Sequence, residues 1–323
     1  MPAEPVPAEP VPAEAEEPGD TVLGTPVELP EPDPLPPPEL EPGPAEPEPG
    51  PPVAAAARPP VLPGSVLPAR RIIAFYGNPR STRMGILGEL PPERMLARLD
   101  TIAAAWRRAD PRTPVQPALH LIAVMAASDP GPDDKYRVRM PRRVIEDVMS
   151  WAKRRDALVF LDIQPGRSTV REELPKLLEY LRSPYVHLAL DPEWSMQGGA
   201  IPGQRIGTMD AADINHAIEA LARLVEEHDL PPKVLVVHRF TRGMVTNVGR
   251  IEDDPRVQVV LNMDGWGAPS LKRASYRSFV ASAPIPYKGF KVFFHNDRRS
   301  GSRLMLPAEI LALTPAPIYI QYQ

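Results

Sequence analysis

The sequence contains no cysteine among its 323 residues. This absence excludes disulfide bonds, zinc sites built on thiolates and catalysis by a cysteine nucleophile. No apolar run approaches the ~20 residues needed to cross a membrane, so we expect no membrane span in the chain. The first residues, MPAEPVPAEP, also lack the basic and apolar regions of a signal peptide.

Several short motifs that carry chemistry are missing as well. No apolar run is followed by Gly-x-Gly-x-x-Gly, and no Walker phosphate loop is present. The His-Glu-x-x-His pair of zinc hydrolases and the Gly-x-Ser-x-Gly elbow of serine hydrolases do not occur either. The sequence therefore gives no indication of a nucleotide-binding loop, and it argues against acyl transfer by a serine triad.

Charge and proline content divide the chain into two regions. Residues 1–69 hold 23 of the 46 prolines and carry 13 acidic residues against one arginine, whereas residues 70–323 carry 36 basic and 28 acidic residues. A proline-rich segment with many like charges is typical of a disordered, extended linker or stalk. The small basic excess of the second region has no RNA-binding signature beside it, so we expect no nucleic-acid partner.

Eight short apolar runs in the second region each end in polar, acidic or aromatic residues. They read RIIAFYGNP, ALHLIAVMAASD, ALVFLDIQPG, VHLALDPEW, KVLVVHRF, VQVVLNMDGWG, GFKVFFHND and PIYIQYQ. Nearly continuous apolarity with many β-branched and aromatic residues is typical of parallel strands buried on both faces. After the first run, which starts at Arg71, the predicted strands cover 119–126, 157–163, 186–190, 233–238, 257–263, 290–294 and 318–322.

Helix-like segments separate several of these runs, and the clearest is MDAADINHAIEALARLVEEHD. The alternation predicts an α/β protein with a (β/α)8 barrel over residues 70–323, a length close to the usual ~250 residues. The last run ends the chain, so we expect the last helix to be absent and the residues just before Arg71 to cover that side. An open doubly wound sheet is the alternative fold.

Strand four carries the strongest candidates for chemistry. If the strand stays regular, alternation places His187, Asp191 and Glu193 on one side, with Trp194 beside them. Because catalytic residues of such barrels gather at the carboxyl ends of strands, we expect Asp191 and Glu193 in the barrel mouth. Two close carboxyl groups cannot both ionise freely, so one is expected to have a raised pKa and to act as a general acid. Pro192 weakens this geometry because it turns the chain.

The ends of the other strands supply further candidates. On strand six, Asp264 is expected to lie across the mouth from strands three and four, and Trp266 is a candidate sugar platform. Asp162 at the end of strand three is another candidate catalytic carboxylate. Candidates for substrate binding, in addition to Trp194 and Trp266, are Tyr76, Asn78, Gln164, His238, Asn262, Asn296 and Gln321.

A metal site is an open alternative, although no spacing in the sequence requires one. His187, Asp191, Glu193, His238 and Asp264 offer the oxygen and nitrogen ligands that hard or borderline cations prefer. The prediction nevertheless assigns no metal ligand and no cofactor.

The segment LALDPEW, together with LNMDGWG and FYGNP, resembles the (β/α)8 glycoside-hydrolase-like proteins among bacterial secreted and surface proteins. The resemblance implies acids at strand ends, including strand four, and aromatic platforms for sugar rings. The acid run Asp-x-x-Asp-x-Asp-x-Glu of chitinase-like barrels is matched only at Asp191 and Glu193, which argues against a substrate-assisted mechanism.

These features predict a secreted or cell-surface barrel that hydrolyses a polysaccharide or other glycan. Glu193 is the expected general acid/base, and Asp264 or Asp162 is its expected carboxylate partner. One alternative is a non-catalytic carbohydrate- or cell-wall-binding barrel that the N-terminal stalk tethers to a surface. The other is a metal-dependent hydrolase.

Overall fold

A computed structural model describes residues 60–323. Most of the predicted disordered tail, residues 1–59, lies outside the described residues. Within the described part, no helix is long and apolar enough to cross a membrane.

Eight parallel strands form a closed barrel. The strands of the described chain are β1 (Arg71–Gly77), β2 (Val115–Ala126), β3 (Arg137–Arg139), β4 (Leu158–Ile163), β5 (Val186–Leu190), β6 (Met209–Asp210), β7 (Lys233–Arg239), β8 (Val245–Thr246), β9 (Val257–Met263), β10 (Tyr287–Val292) and β11 (Tyr319–Tyr322). The barrel order is β1-β2-β4-β5-β7-β9-β10-β11, and β11 pairs with β1 to close it. Strand β3 adds antiparallel to β2, while β6 and β8 form a separate two-stranded sheet. Closure excludes the open doubly wound sheet.

Helices connect most of the barrel strands. They are α1 (Ile86–Glu89), α2 (Pro92–Ala109), α3 (Arg142–Lys153), α4 (Val170–Glu173), α5 (Leu178–Leu181), α6 (Ala211–Glu227), α7 (Pro269–Tyr276) and α8 (Pro307–Leu311). Helix α6 begins where the side chain of Asp210 accepts a hydrogen bond from the Ala212 amide, and its apolar stripe is buried as the sequence predicts. A π-helical segment, Arg277–Ala281, continues α7.

The predicted strand bounds agree best for β5 and β9, which match residue for residue. The prediction for the seventh strand, 290–294, is wrong by several residues because β10 begins at Tyr287 and ends at Val292. The β10 backbone is already paired with β9 at Tyr287, opposite Val260. The lysines in YKGFKV hid this strand, since a strand rich in lysine does not look like an apolar run.

The barrel interior is filled by side chains that alternate with those facing the helices. Small residues, among them Ala74, Ala118 and Ala189, leave room for the rings of Phe160 and Tyr319. Those two rings meet edge to face, with centroids 5.4 Å apart. The interior is therefore a packed core in its lower layers.

The N-terminal end of the barrel is closed by residues that precede β1. Leu67 is fully buried, its amide donates to Gln258 Oε1 at 3.0 Å, and Gln258 Nε2 donates back to its carbonyl. The segment before Arg71 thus closes the floor of the barrel, and the packed part of the chain includes Leu67.

The outer side of β11 is covered by α2, where Trp106 Nε1 donates to the Tyr322 hydroxyl at 2.9 Å.

Candidate functional site

Polar side chains gather inside the barrel near the carboxyl ends of the strands. Strand pairing sets Tyr76 of β1 beside His120 of β2, and His238 of β7 beside Asn262 of β9. These polar side chains occupy inward positions near the carboxyl ends of the strands, and the packed apolar interior lies toward the other end of the barrel. The C-terminal mouth is the end at which barrel enzymes of this architecture carry their active sites.

Three side chains converge at the centre of this polar layer. His120 Nε2 lies 3.4 Å from Asp162 Oδ2, and His238 Nε2 lies 3.6 Å from the same oxygen. All three side chains are completely buried. Within the described residues, neither oxygen of Asp162 and neither Nε2 atom has a hydrogen-bond partner. We call these three residues the His-Asp-His cluster.

A chain of ion pairs continues from His238 toward β10. His238 Nδ1 lies 2.8 Å from Asp264 Oδ2, and Lys291 Nζ lies 2.9 Å from Asp264 Oδ1. The Lys291 ammonium also sits 3.7 Å from the centre of the Tyr76 ring, a cation–π distance. Asp264 is therefore held between His238 and Lys291, and the Lys291 ammonium also contacts the Tyr76 ring.

Gln164 joins two further strand ends. Its side-chain oxygen accepts from the Ala126 amide at 3.1 Å, which leaves the nitrogen to point into the mouth. That nitrogen donates to the Tyr76 hydroxyl at 3.0 Å and to Asp191 Oδ2 at 3.3 Å. The predicted residues Tyr76, Gln164 and Asp191 thus form one hydrogen-bonded group.

The opposite wall connects His120 to β9 and β11. His120 Nδ1 lies 2.6 Å from the Tyr319 hydroxyl and 2.9 Å from Gln321 Nε2. Asn262 donates to the Gln321 side-chain oxygen at 3.4 Å. Gly289 of β10 makes room for this contact, because a Cβ atom there would lie 2.5 Å from Asn262 Oδ1.

The carboxyl groups of the mouth differ in their electrostatic surroundings. Burial raises the pKa of Asp191 to about 7, and nearby Asp162 and Asp264 add to the effect against the opposing charges of His238 and Lys291. Burial would also raise the pKa of Asp264, but Lys291 and His238 hold it below its usual range. The neighbouring histidines lower the pKa of Asp162 in the same way. One mouth therefore contains a carboxyl group with a raised pKa beside carboxyl groups with lowered pKa values.

The histidines differ as well. Burial lowers the pKa of His120 to about 4. Burial acts on His238 in the same direction, but Asp264 and Asp162 outweigh it and raise the pKa of this imidazole.

Glu193 does not lie on a regular extension of β5. The strand ends at Leu190, and Pro192–Trp194 form a 3-10 turn, so the predicted alternation stops at Asp191. The turn is anchored by the Gly207 amide, which donates to the Glu193 carbonyl at 2.6 Å, and a Cβ atom at Gly207 would lie 2.5 Å from that oxygen. Glu193 is half-buried. Burial, Asp191 and Asp264 together raise the pKa of its carboxyl.

The remaining predicted residues take other positions. Asn78 is buried in the loop after β1, where its amide donates to the Ile122 carbonyl at 3.3 Å. Asn296 lines a surface cavity with Glu89 and His295. Trp194 is half-buried in the turn after β5. Trp266 is also half-buried, and the Arg299 guanidinium lies 5.2 Å from its ring centre.

The metal ligands suggested by the sequence do not form one group. His187 lies lower in the barrel, where its Nδ1 accepts from the Val234 amide at 3.1 Å. Among residues 60–323, three side chains converge closely enough to hold a metal ion together. They are those of the His-Asp-His cluster. Of its members, His238 was a metal candidate, Asp162 was expected only as a catalytic carboxylate, and His120 was not among the candidates.

Lys291 and Tyr319 also belong to the site, although the sequence pattern does not single them out. Lys291, like His120, is a polar residue within a buried strand. A polar residue at such a position was the available signal for His120 and Lys291.

The fold and the polar mouth define the class of this protein as a closed parallel α/β barrel of the TIM-barrel type. No protein-family model matches the sequence, and no curated protein is significantly similar to it. The architecture and the geometry of the mouth therefore carry the functional argument.

Proposed function

We propose that this barrel is a glycan hydrolase in which carboxyl groups at the C-terminal mouth perform acid–base chemistry. The observation that carries the proposal is the contrast between Glu193 and Asp264. Glu193 is half-buried in a turn above the mouth, and Asp264 is held as a carboxylate by Lys291 and by His238. Hydrolysis of a glycosidic bond uses one carboxyl group that donates a proton and one that is ionised.

In this proposal Glu193 protonates the oxygen of the leaving sugar. Its raised pKa keeps the proton on the carboxyl at a pH where an ordinary glutamate has lost it. Asp191 acts through Glu193, because a negative charge on Asp191 disfavours ionisation of Glu193. Asp264 acts as nucleophile or as the base that activates water.

The aromatic residues that follow β5 and β9 support a glycan as the substrate class. Trp194 comes directly after Glu193, and Trp266 comes two positions after Asp264. Half-buried indole rings at a barrel mouth offer flat apolar faces with a polar edge, and sugar rings stack on such faces. In the same proposal the protein acts outside the cell or at its surface, and the proline-rich region that precedes the packed residues around Leu67 serves as a stalk.

A panel of polysaccharides tests this function by release of reducing ends. We expect the wild-type protein to hydrolyse at least one polysaccharide and Glu193→Gln to lower kcat by about 100-fold or more. The matched control is Glu219→Gln on the outer surface of α6, which should leave kcat unchanged. A kcat of Glu193→Gln close to that of the wild type removes Glu193 from the acid role.

A second function is favoured by the burial of the mouth. Asp191, Asp264, Lys291 and Tyr76 expose at most 5% of their surface, which suits a packed polar floor beneath a binding surface. A non-catalytic barrel that binds a glycan or cell wall would retain a polysaccharide on the two indole rings. Binding of a polysaccharide without any release of reducing ends supports this second function over the first.

A further inference from the structure

The His-Asp-His cluster concentrates four buried ligand atoms that have no hydrogen bond in the described part of the chain. Asp162 is fully buried, and neither of its oxygens accepts a hydrogen bond from any described residue. The Nε2 atoms of His120 and His238 face the same oxygen and are likewise without hydrogen bonds in that part of the chain. A buried carboxylate that accepts no hydrogen bond is costly, and a cation between the three side chains would compensate its charge.

We propose that His120, Asp162 and His238 bind a divalent transition-metal ion, with zinc as the best match. This inference goes beyond the proposed function, because the ion would bind whether or not a glycan is the substrate. It rests on the positions of three ligand atoms that lie within 4.8 Å of one another.

The spacing of the ligand atoms fits a tetrahedral ion. With metal–ligand bonds of about 2.0–2.2 Å, two ligand atoms of a tetrahedral site lie about 3.3–3.6 Å apart. The two Asp162 contacts measure 3.4 and 3.6 Å, from Oδ2 to the Nε2 atoms of His120 and His238. These distances are too long for good hydrogen bonds but agree with two edges of a metal tetrahedron.

The outer contacts of both histidines also fit a metal site. A ligating histidine presents one ring nitrogen to the ion and donates the other N–H to a carboxylate, carbonyl or hydroxyl group. His238 has Asp264 Oδ2 at 2.8 Å from Nδ1, and Lys291 supports that carboxylate from its other side. His120 has the Tyr319 hydroxyl at 2.6 Å from Nδ1.

Gln321 must adapt to the metal-bound state of His120. Its side-chain nitrogen lies 2.9 Å from Nδ1, where a protonated Nδ1 needs an acceptor. Exchange of the amide oxygen and nitrogen of Gln321 supplies that acceptor, provided that the Asn262 amide, which donates to the Gln321 oxygen, is exchanged with it.

The ligand types select the metal. Two imidazole nitrogens and one carboxylate oxygen suit zinc and its neighbours, whereas calcium and magnesium prefer sites built from oxygen alone. Three protein ligands leave the fourth tetrahedral position for water or a substrate oxygen, which is the arrangement of catalytic zinc sites.

The test uses the full chain after treatment with a chelator, and zinc is titrated in competition with a chromophoric chelator. We expect one zinc ion per chain. We also expect cobalt added in place of zinc to give the intense visible absorption of a tetrahedral site. Asp162→Asn and His120→Gln should weaken zinc binding by more than about 100-fold, beyond the 10- to 100-fold effect of losing an outer contact such as Asp264.

His187→Gln is the matched control. His187 is buried in the same barrel, and its Nε2 atom also has no hydrogen-bond partner among residues 60–323, but it lies outside the cluster. The His187→Gln variant should therefore bind zinc as the wild type does. Circular dichroism and thermal unfolding of the metal-free variants show whether each one folds, so that a loss of binding is read only from folded protein.

Two results would overturn the metal site. One is a folded wild-type chain that binds neither zinc nor cobalt stoichiometrically at micromolar concentrations. The other is unchanged zinc affinity in both Asp162→Asn and His120→Gln. Because binding is measured without substrate, a failure to hydrolyse glycans leaves this test intact, and glycan hydrolysis by a chain that binds no metal contradicts this inference alone.

Discussion

Lys291 and Asp264 form an ion pair inside the barrel, with Nζ 2.9 Å from Oδ1 and each side chain only 3% exposed. The pair joins β10 to the end of β9 and positions Asp264 against His238. Because both charges are removed from water, the loss of one partner leaves the other uncompensated.

Lys291→Met should therefore lower the free energy of unfolding by about 3–5 kcal/mol. Urea denaturation of the metal-free protein measures this value. The double variant Lys291→Met with Asp264→Asn should lose less free energy of unfolding than the two single variants lose together, since no charge of this pair remains buried without its partner. Arg223→Met, which breaks an exposed ion pair on α6, is the control and should cost about 0.5 kcal/mol or less. A cost for Lys291→Met as small as that of the control would contradict the buried ion pair.

Asp191 should make the folded state less stable as pH rises. Its pKa is about 7 in the folded protein against 3.8 for an ordinary aspartate. The folded state therefore binds the proton more tightly, and the stability that this provides is complete below about pH 4 and is lost as pH rises through about 7. The charged and titratable groups around Asp191 are His238, Asp162, Asp264, Lys291, Glu193 and Tyr76.

Asp191→Asn removes this titration. Relative to wild type, the metal-free variant should gain up to about 4 kcal/mol in free energy of unfolding between about pH 4 and about pH 8. A difference for Asp191→Asn that is independent of pH would show that Asp191 ionises as an ordinary aspartate.

Leu67 should be essential for the floor of the barrel. It is completely buried against the interior cluster, so Leu67→Ala leaves a cavity and should cost about 2–5 kcal/mol in thermal or urea unfolding. Val61→Ala, at a position 57% exposed a few residues earlier, should change stability by less than about 0.5 kcal/mol. Equal effects at the two positions would mean that the segment before β1 does not close the barrel.

The barrel was predictable because each buried strand is a continuous apolar run. VHLAL and VQVVLNM are β5 and β9 to the residue, since both faces of these strands are covered. The same rule failed at β10, where Lys288 and Lys291 interrupt the run. The expected positions of Asp162, Asp191 and Asp264 at one mouth follow from strand direction alone, because the carboxyl ends of parallel strands meet at the same end.

The cluster and the turn after β5 were not predictable in the same way. A histidine inside an apolar strand, such as His120, is as often a satisfied core residue as a ligand, and only closure of the barrel brings it to Asp162. Glu193 was placed by alternation, but Pro192 ends the strand and a 3-10 turn sets its position. The position of this turn also depends on a hydrogen bond from the Gly207 amide to the Glu193 carbonyl, and strand alternation does not reveal that contact.

The most direct test of the account compares the response of Glu193→Gln to the leaving group. A general acid matters most when the departing sugar is a poor leaving group and matters little for an activated aryl glycoside, which departs without a proton. The account predicts that kcat of Glu193→Gln falls by about 100-fold or more on the polysaccharide and changes far less on the aryl glycoside of the same sugar. Equal losses on both substrates, or no loss on either, would contradict the assignment of Glu193 as the proton donor.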